Sequence, residues 1–266
     1  MADTQVYLPV RRFGETTRRD TWWAYPLLAF LGFSAFIVYS TWAGFQNRHY
    51  EFGPYLSPFY SPLIVGESAR AWIHAAAPSW WPAGLPFSSA FLILWAPGGF
   101  RFTCYYYRGA YYKAFWSDPP NCAVGEPRST YWGERSFPLI FQNVHRYFMY
   151  IAVGFIVFLT KDVWDALWFT DNGVTHFGLG VGTFVMLANV VLLSGYTFGC
   201  HSLRHLVGGR LNVFAKRPIS KLAHDCTSCL NRSHMYWAWA SLVMVGFTDV
   251  YIRLCSMGIW TDFRIL

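Results

Sequence analysis

Charge is scarce in this sequence. Only 13% of its 266 residues are Asp, Glu, Lys or Arg, whereas 54% are hydrophobic and the mean hydropathy is +0.24. Soluble domains carry about 25% charged residues, so the composition argues against a soluble, nucleic-acid-binding or disordered protein. The few charges are unbalanced, with a formal net charge of +7. In a hydrophobic chain such an excess is typical of cytoplasmic loops.

Other signatures are also missing. The chain has no internal repeat of fixed period, no Gly-rich dinucleotide fingerprint and none of the multi-cysteine runs of soluble cluster proteins. Because transporters commonly contain internal repeats, the missing repeat argues against transport. A transporter, or a structural membrane scaffold without a redox centre, remains an alternative function for this chain.

Stretches with little or no charge that are long enough to cross a bilayer, about 20 residues, occur five times. They lie at about 22–45, 86–107, 138–160, 176–203 and 233–259. We expect an all-α integral membrane protein, a single domain over 1–266, with a bundle of five transmembrane helices and ordered interfacial loops. Pro86 is expected near the start of the second helix because proline suits a first turn. Asp249 and Arg253, four apart in the fifth span, are expected to form a structural ion pair in preference to a proton path.

The connecting segments differ in basic charge. Of the 21 Lys and Arg residues, 15 fall on the side of the N-terminal tail, five fall on the other side, and Arg146 lies within the third span. Positive residues are enriched in cytoplasmic loops, so we expect a multi-pass protein with a cytoplasmic N-terminus and an external C-terminus. The excess charge thus indicates a membrane face and no nucleic-acid partner.

The six cysteines and eight histidines are unevenly distributed. On this topology the cytoplasmic end holds five of each: Cys104, Cys122, Cys200, Cys226, Cys229, His145, His201, His205, His224 and His234. Cytosolic thiols rarely form disulfides, whereas sulfur and imidazole together bind iron, zinc or copper. We therefore expect a metal or redox centre at this end, although each residue taken alone also fits a packing role.

Cys226 and Cys229 form a C-x-x-C pair in the loop expected between the fourth and fifth spans. On spacing alone this pair is half of a zinc or cluster site. Two free cytosolic thiols are an equally good interpretation.

Aromatic and basic residues crowd the inner membrane border after the second span, at 105–108 and 111–112. Most of them fit the role of interfacial anchors. Tyrosine hydroxyls and guanidinium groups at the acyl boundary also suit the carbonyl oxygens of a quinone. We assign that role to Tyr106, Arg108 and Arg146.

Four strings of the chain resemble one family. They are RFTCYYYR at 101–108, PPNCAV at 119–124, NVHRY at 143–147 and CHSLRH at 200–205. Together with the arginine-rich tail that begins at Val10, they resemble the membrane-anchor subunit of the actinobacterial, type F, succinate dehydrogenase of respiratory complex II. The likeness covers nearly the whole chain.

The resemblance implies a subunit of an enzyme of the tricarboxylic acid cycle and of electron transport. A flavoprotein subunit would oxidise succinate, an iron–sulfur subunit would pass the electrons to this anchor, and membrane quinone would be reduced. The complex would lie among the lipids of the inner (plasma) membrane, with its soluble subunits on the cytoplasmic side. The succinate-oxidising site would belong to a partner, and a higher oligomer of the complex is left open.

The resemblance also implies a Rieske-like 2Fe-2S cluster, in which two cysteines bind one iron and two histidines the other. Neither the C-x-H nor the C-x-x-H loop of soluble Rieske domains occurs here, so the ligands would come from several helices. Four of seven residues are expected to bind metal: Cys104, Cys122, His145, Cys200, His201 and His205, which lie in the family strings, and His234, which opens the fifth span on the same face. The alternative cofactor is haem b between His145 and a histidine of the fourth span.

Overall fold

The computed structural model describes residues 12–82, 84–127, 133, 135–137, 139–209, 211, 213 and 217–266. Four of the basic residues counted above, and the expected helix start at Pro138, lie outside these ranges. Those four are Arg11, Arg128, Arg210 and Lys216.

Helices dominate the part of the chain that the structure describes. They are α1 (Ala24–Gln46), α2 (Ala90–Ile93), α3 (Trp95–Phe102), α4 (Tyr105–Phe115), α5 (His145–Asp165), α6 (Val181–Phe198), α7 (His201–Gly208), α8 (Pro218–Arg232) and α9 (His234–Ser256), with a 3-10 turn at Leu139–Val144. Short strands, which the all-α prediction did not include, pair as β1 (Glu51–Phe52) with β2 (Tyr55–Leu56), β3 (Val65–Gly66) with β4 (Ile73–His74), and β5 (Trp168–Asp171) with β6 (Val174–Phe177).

Four helical segments among the described residues are long and apolar enough to cross a membrane. They are α1, the 3-10 turn continued by α5, α6 and α9. Three of them agree closely with the spans predicted at 22–45, 138–160 and 233–259. The bundle of five transmembrane helices is not confirmed, because the second predicted span is not one helix.

That span, 86–107, is interrupted twice. Its first helix begins at Ala90 and not near Pro86. Pro97 has no N–H to donate to the carbonyl of Ile93, four residues earlier, and α2 ends at Ile93. The second break is at Cys104, whose backbone is extended with φ −65° and ψ 130° before α4 begins. The expectation of a continuous helix was wrong because low charge says nothing about backbone hydrogen bonding.

The fourth span, predicted at 176–203, is also shorter than expected. β6 occupies its first residues, α6 ends at Phe198, and the chain is extended at Cys200, with φ −66° and ψ 137°, before α7. The start of α6 is held by Asp262, whose carboxylate accepts the Gly182 N–H at 2.9 Å and the Tyr55 hydroxyl at 2.8 Å. A carboxylate at this position satisfies a free N–H at the positive end of the helix dipole.

α8 was not predicted. It packs against α7 and carries Cys226 and Cys229 on exposed positions of a helix, whereas the sequence suggested a loop. Because residues three apart share a helix face, the two thiols lie on the same side of α8.

The bundle has two opposite ends. We call the end formed by α4, α7, α8 and the start of α9 the pocket face. We call the end formed by residues 47–82 and 84–89, the β5–β6 hairpin and the end of α9 the loop face. Near the loop face, Asp249 and Arg253 form the predicted ion pair, with 3.2 Å between Arg253 Nε and Asp249 Oδ2. Both side chains are buried, and the carboxylate also accepts the hydroxyls of Tyr39 and Ser57.

Candidate metal-binding pocket

A pocket of about 920 Å³ opens on the pocket face. It is lined by Thr103, Cys104, Tyr105, Tyr106, Arg108, Gln142, Asn143, His145, Arg146, Tyr147, Tyr150, Cys200, His201, Ser202, Asn231 and His234. These residues come from four separate stretches of chain that meet at the two helix breaks and at the starts of α5 and α9. Five of the seven predicted metal ligands and all three predicted quinone residues are among them.

The two buried cysteines occupy equivalent positions in the fold. Cys104 immediately precedes α4 and Cys200 immediately precedes α7, and their exposed fractions are 3% and 1%. The Cys200 sulfur accepts the backbone N–H of Ser202 at 3.4 Å. Burial raises the pKa of the Cys200 thiol, and the backbone N–H groups of Ser202 and Leu203 partly oppose this effect. Both helix breaks therefore direct a sulfur donor towards the pocket.

His145, the first residue of α5, is held in one orientation. Its Nδ1 lies 2.8 Å from Thr103 Oγ1, and its ring stacks on Phe100 with 4.9 Å between centroids. Thr103 donates its only hydroxyl proton to the Gly99 carbonyl at 2.7 Å, so its oxygen must accept the proton on His145 Nδ1. The lone pair of the neutral ring is then on Nε2, which lies 3.1 Å from the sulfur of Cys200.

His234, the first residue of α9, forms the second cysteine–histidine pair. Its Nε2 lies 3.6 Å from the sulfur of Cys104, and its ring stacks on Tyr196 with 5.0 Å between centroids. Its Nδ1 is buried and has no hydrogen-bond partner among the described residues. A buried polar atom of this kind requires an explanation, and a bound metal is one.

The other predicted ligands lie elsewhere. His201 lines the pocket from an exposed position at the start of α7. His205 does not line it, and its Nδ1 accepts a hydrogen bond from the Arg146 guanidinium at 3.0 Å. Cys122 is exposed in the segment after α4 and is not part of the lining. Within the described ranges no three Cys, His, Asp or Glu side chains are grouped as a metal site. The buried donors instead form two pairs, Cys104 with His234 and Cys200 with His145.

The predicted quinone residues share the pocket but differ in their contacts. The Tyr106 hydroxyl lies 2.7 Å from that of Tyr25 and accepts the Trp239 indole N–H at 2.8 Å. Arg108 donates to Gln142 Oε1 at 3.3 Å. All three residues therefore have hydrogen-bond partners within the subunit, Arg146 through His205.

Sequence reasoning missed two supporting residues. Thr103 orients His145, and Arg101 donates to Ser241 Oγ at 3.0 Å while its guanidinium lies 4.8 Å from the centroid of the Tyr196 ring. Arg101 could have been identified from the sequence, because a charged residue within an apolar span is a functional candidate. Thr103 could not have been identified in this way, since its role depends on a contact with His145, 42 residues away in the sequence.

Known proteins resemble this chain over most of its length. A family profile described as actinobacterial succinate dehydrogenase subunit SdhC matches residues 24–258. Among solved structures, a chain of the Mycobacterium smegmatis Sdh1 complex in the apo form is 40% identical, with a TM-score of 0.84, and the similarity covers 100% of this chain and 98% of that one. No curated protein matches. The chain belongs to the SdhC family of actinobacterial succinate dehydrogenases and is a membrane subunit of that enzyme complex.

Proposed function

We propose that this subunit carries electrons from an iron–sulfur partner to membrane quinone through a Rieske-like 2Fe-2S cluster bound by Cys104, Cys200, His145 and His234. The electrons would come from succinate, oxidised by a flavoprotein partner. The observation that carries the proposal is the convergence of two buried thiols and two imidazoles in one pocket. This donor set is the one that Rieske clusters use.

The chemistry of the donors fits such a cluster. Cysteine thiolates and neutral histidines suit iron–sulfur centres, and His145 has its Nδ1 proton fixed by Thr103, so its Nε2 is free to bind metal. When bound, the cluster would pass electrons singly, and its histidine ligands would raise its potential towards that of quinones. The alternative, haem b, would take histidines as its axial ligands and would leave the two buried thiols of the pocket without a role.

Other residues of the chain would support the site. Phe100 and Tyr196 cover one face each of His145 and His234 and so limit water at the donors. Arg108 and Arg146 bring positive charge to the pocket lining, where a quinone carbonyl would accept a hydrogen bond. The polar pocket and the surplus of basic residues together favour a cytoplasmic pocket face, where the soluble partners would dock in the plasma membrane complex.

Iron, acid-labile sulfide and electron paramagnetic resonance of the purified complex test the proposal. Cys104→Ser, Cys200→Ser, His145→Ala and His234→Ala should each remove the signal of one reduced cluster while the clusters of the partner persist. Cys122→Ser and Cys226→Ser, which change exposed thiols outside the pocket, should retain every signal.

Full retention of the cluster signals in both histidine variants would reject this ligand set. Sharp visible bands that intensify on reduction, and that the variants lose, would identify haem b instead. A complex with no iron beyond that of its partners would support a scaffold.

A further inference from the structure

Arg101 places a positive charge in the apolar interior of the bundle. It lies in the last turn of α3 and is the only charged residue of α2 and α3. It lines two cavities, of about 170 and 500 Å³, whose other lining residues are mostly aromatic and aliphatic, and it does not line the metal-binding pocket. A charge among apolar side chains is costly and usually pairs with another charge or serves a functional site, so its partners indicate its role.

No carboxylate neutralises Arg101. Its guanidinium donates to the Tyr107 hydroxyl, to Ser241 Oγ at 3.0 Å and to the Ala238 carbonyl at 3.3 Å, and all three acceptors are neutral. None of the ion pairs in the described part of the chain includes Arg101. Arg253, by contrast, is paired with Asp249. The positive charge of Arg101 is therefore left uncompensated.

Tyr196 connects this charge to one of the two cysteine–histidine pairs. The guanidinium carbon of Arg101 lies 4.8 Å from the centroid of the Tyr196 ring, and the same ring stacks on His234 with 5.0 Å between centroids. The buried hydroxyl of Tyr196 donates a hydrogen bond to the sulfur of Cys104. One aromatic side chain thus contacts the cation, the imidazole and the thiol.

An uncompensated cation at this distance affects a redox centre through its charge. The reduction potential of an iron–sulfur cluster depends on its net charge and on hydrogen bonds to its sulfurs. Adding one electron adds one negative charge, which a nearby cation stabilises, and the effect is strong where apolar side chains exclude water. The Tyr196 hydroxyl acts in the same direction, because a hydrogen bond to a thiolate withdraws charge from it.

We propose that Arg101 and Tyr196 together raise the reduction potential of the cluster held by Cys104, Cys200, His145 and His234. The inference rests on the proposed function. The iron–sulfur partner supplies one electron at a time and quinone removes it, so neither residue gains or loses a proton. Arg101 contacts none of the four donors; it acts through its charge and through the ring and hydroxyl of Tyr196.

The test is a redox titration of the purified complex, followed by electron paramagnetic resonance. The clusters of the partner serve as internal references. Arg101→Gln removes the charge and keeps a hydrogen-bond donor, whereas Arg101→Lys keeps the charge. Arg232→Gln removes the same charge from an exposed position on α8, where water and salt screen it.

We expect Arg101→Gln to retain the cluster signal and to lower its midpoint potential by about 59 mV, a tenfold change in the one-electron equilibrium constant. Arg101→Lys and Arg232→Gln should match the parent. Equal potentials of Arg101→Gln and Arg232→Gln would overturn the inference. A raised KM for quinone at an unchanged potential would also overturn it and would show that Arg101 binds the quinone.

Tyr196→Phe is the second test and replaces the first if Arg101→Gln does not assemble. It keeps the ring between Arg101 and His234 and removes the hydrogen bond to Cys104, so the potential should fall. Tyr236→Phe, at an exposed position on α9, is the matched control and should leave the potential unchanged. The same potential in both variants would reject the inference. A parent complex without a cluster signal from this subunit would instead reject the proposed function.

Discussion

A hydrogen bond joins His145 to Thr103, and the Gly99 carbonyl determines which of the two is the donor. Thr103 donates to the Gly99 carbonyl at 2.7 Å, so His145 Nδ1, at 2.8 Å, must donate to Thr103. The result is an imidazole with its Nε2 lone pair directed towards Cys200, 3.1 Å away. The break between α3 and α4 thus supplies both a sulfur donor and the residue that orients a nitrogen donor.

Thr103→Val should therefore lower the metal affinity of the pocket without unfolding the bundle. Loss of an outer hydrogen bond to a metal ligand typically costs 10–100-fold in metal affinity. We expect reduced iron content and a shifted resonance signal in the purified complex, while Thr103→Ser, which keeps the hydroxyl, should preserve both. Identical spectra for Thr103→Val and the parent would show that Thr103 does not orient a ligand.

Asp249→Ala should strongly destabilise the bundle. The substitution leaves the Arg253 guanidinium buried without its carboxylate, and breaking a buried ion pair in this way costs about 3–5 kcal/mol. A lower unfolding temperature of the complex is expected. The exposed pair of Lys161 with Asp165 is the control, since Lys161→Ala should leave the unfolding temperature nearly unchanged. Similar effects of the two substitutions would contradict the burial of Asp249.

Gly195→Ala should disturb the packing of α6 on α9. A methyl group at position 195 would overlap the Trp237 ring, whereas one at Gly154 of α5 would meet no atom within 4 Å. Overpacking costs about 1–3 kcal/mol, while alanine in an open helical position is favoured over glycine by up to about 1 kcal/mol. Thermal unfolding should thus show opposite shifts for Gly195→Ala and Gly154→Ala.

Cysteine labelling should divide the thiols according to burial. Cys104, Cys200 and Cys255 are buried, whereas Cys122, Cys226 and Cys229 are exposed. In the native complex a maleimide should leave the buried group unmodified, and peptide mass spectrometry should find it labelled only after denaturation. Rapid labelling of Cys200 in the folded complex would contradict its position in the pocket.

The sequence predicted the helical membrane character of the chain because hydropathy reports span length directly. Charge asymmetry also placed Cys104, His145, Cys200 and His234 at one end of the bundle, together with six other cysteines and histidines. It could not distinguish them from Cys122 and His205, because membership of the pocket depends on the direction of each side chain. The helix breaks escaped prediction for a similar reason: they reflect local backbone bonding at Pro97 and Cys104 and leave the mean hydropathy unchanged.

The distribution of the pocket residues along the chain has a consequence for biogenesis. Cys104 and His234 are separated by 130 positions, and His145 and Cys200 fall between them on other helices. Contacts of such long sequence separation form late in folding, because the intervening chain must first be ordered. A metal centre built from these four residues would therefore assemble only after the last helix has entered the membrane. Iron bound in the pocket would then report that every helix carrying one of these four residues is in place.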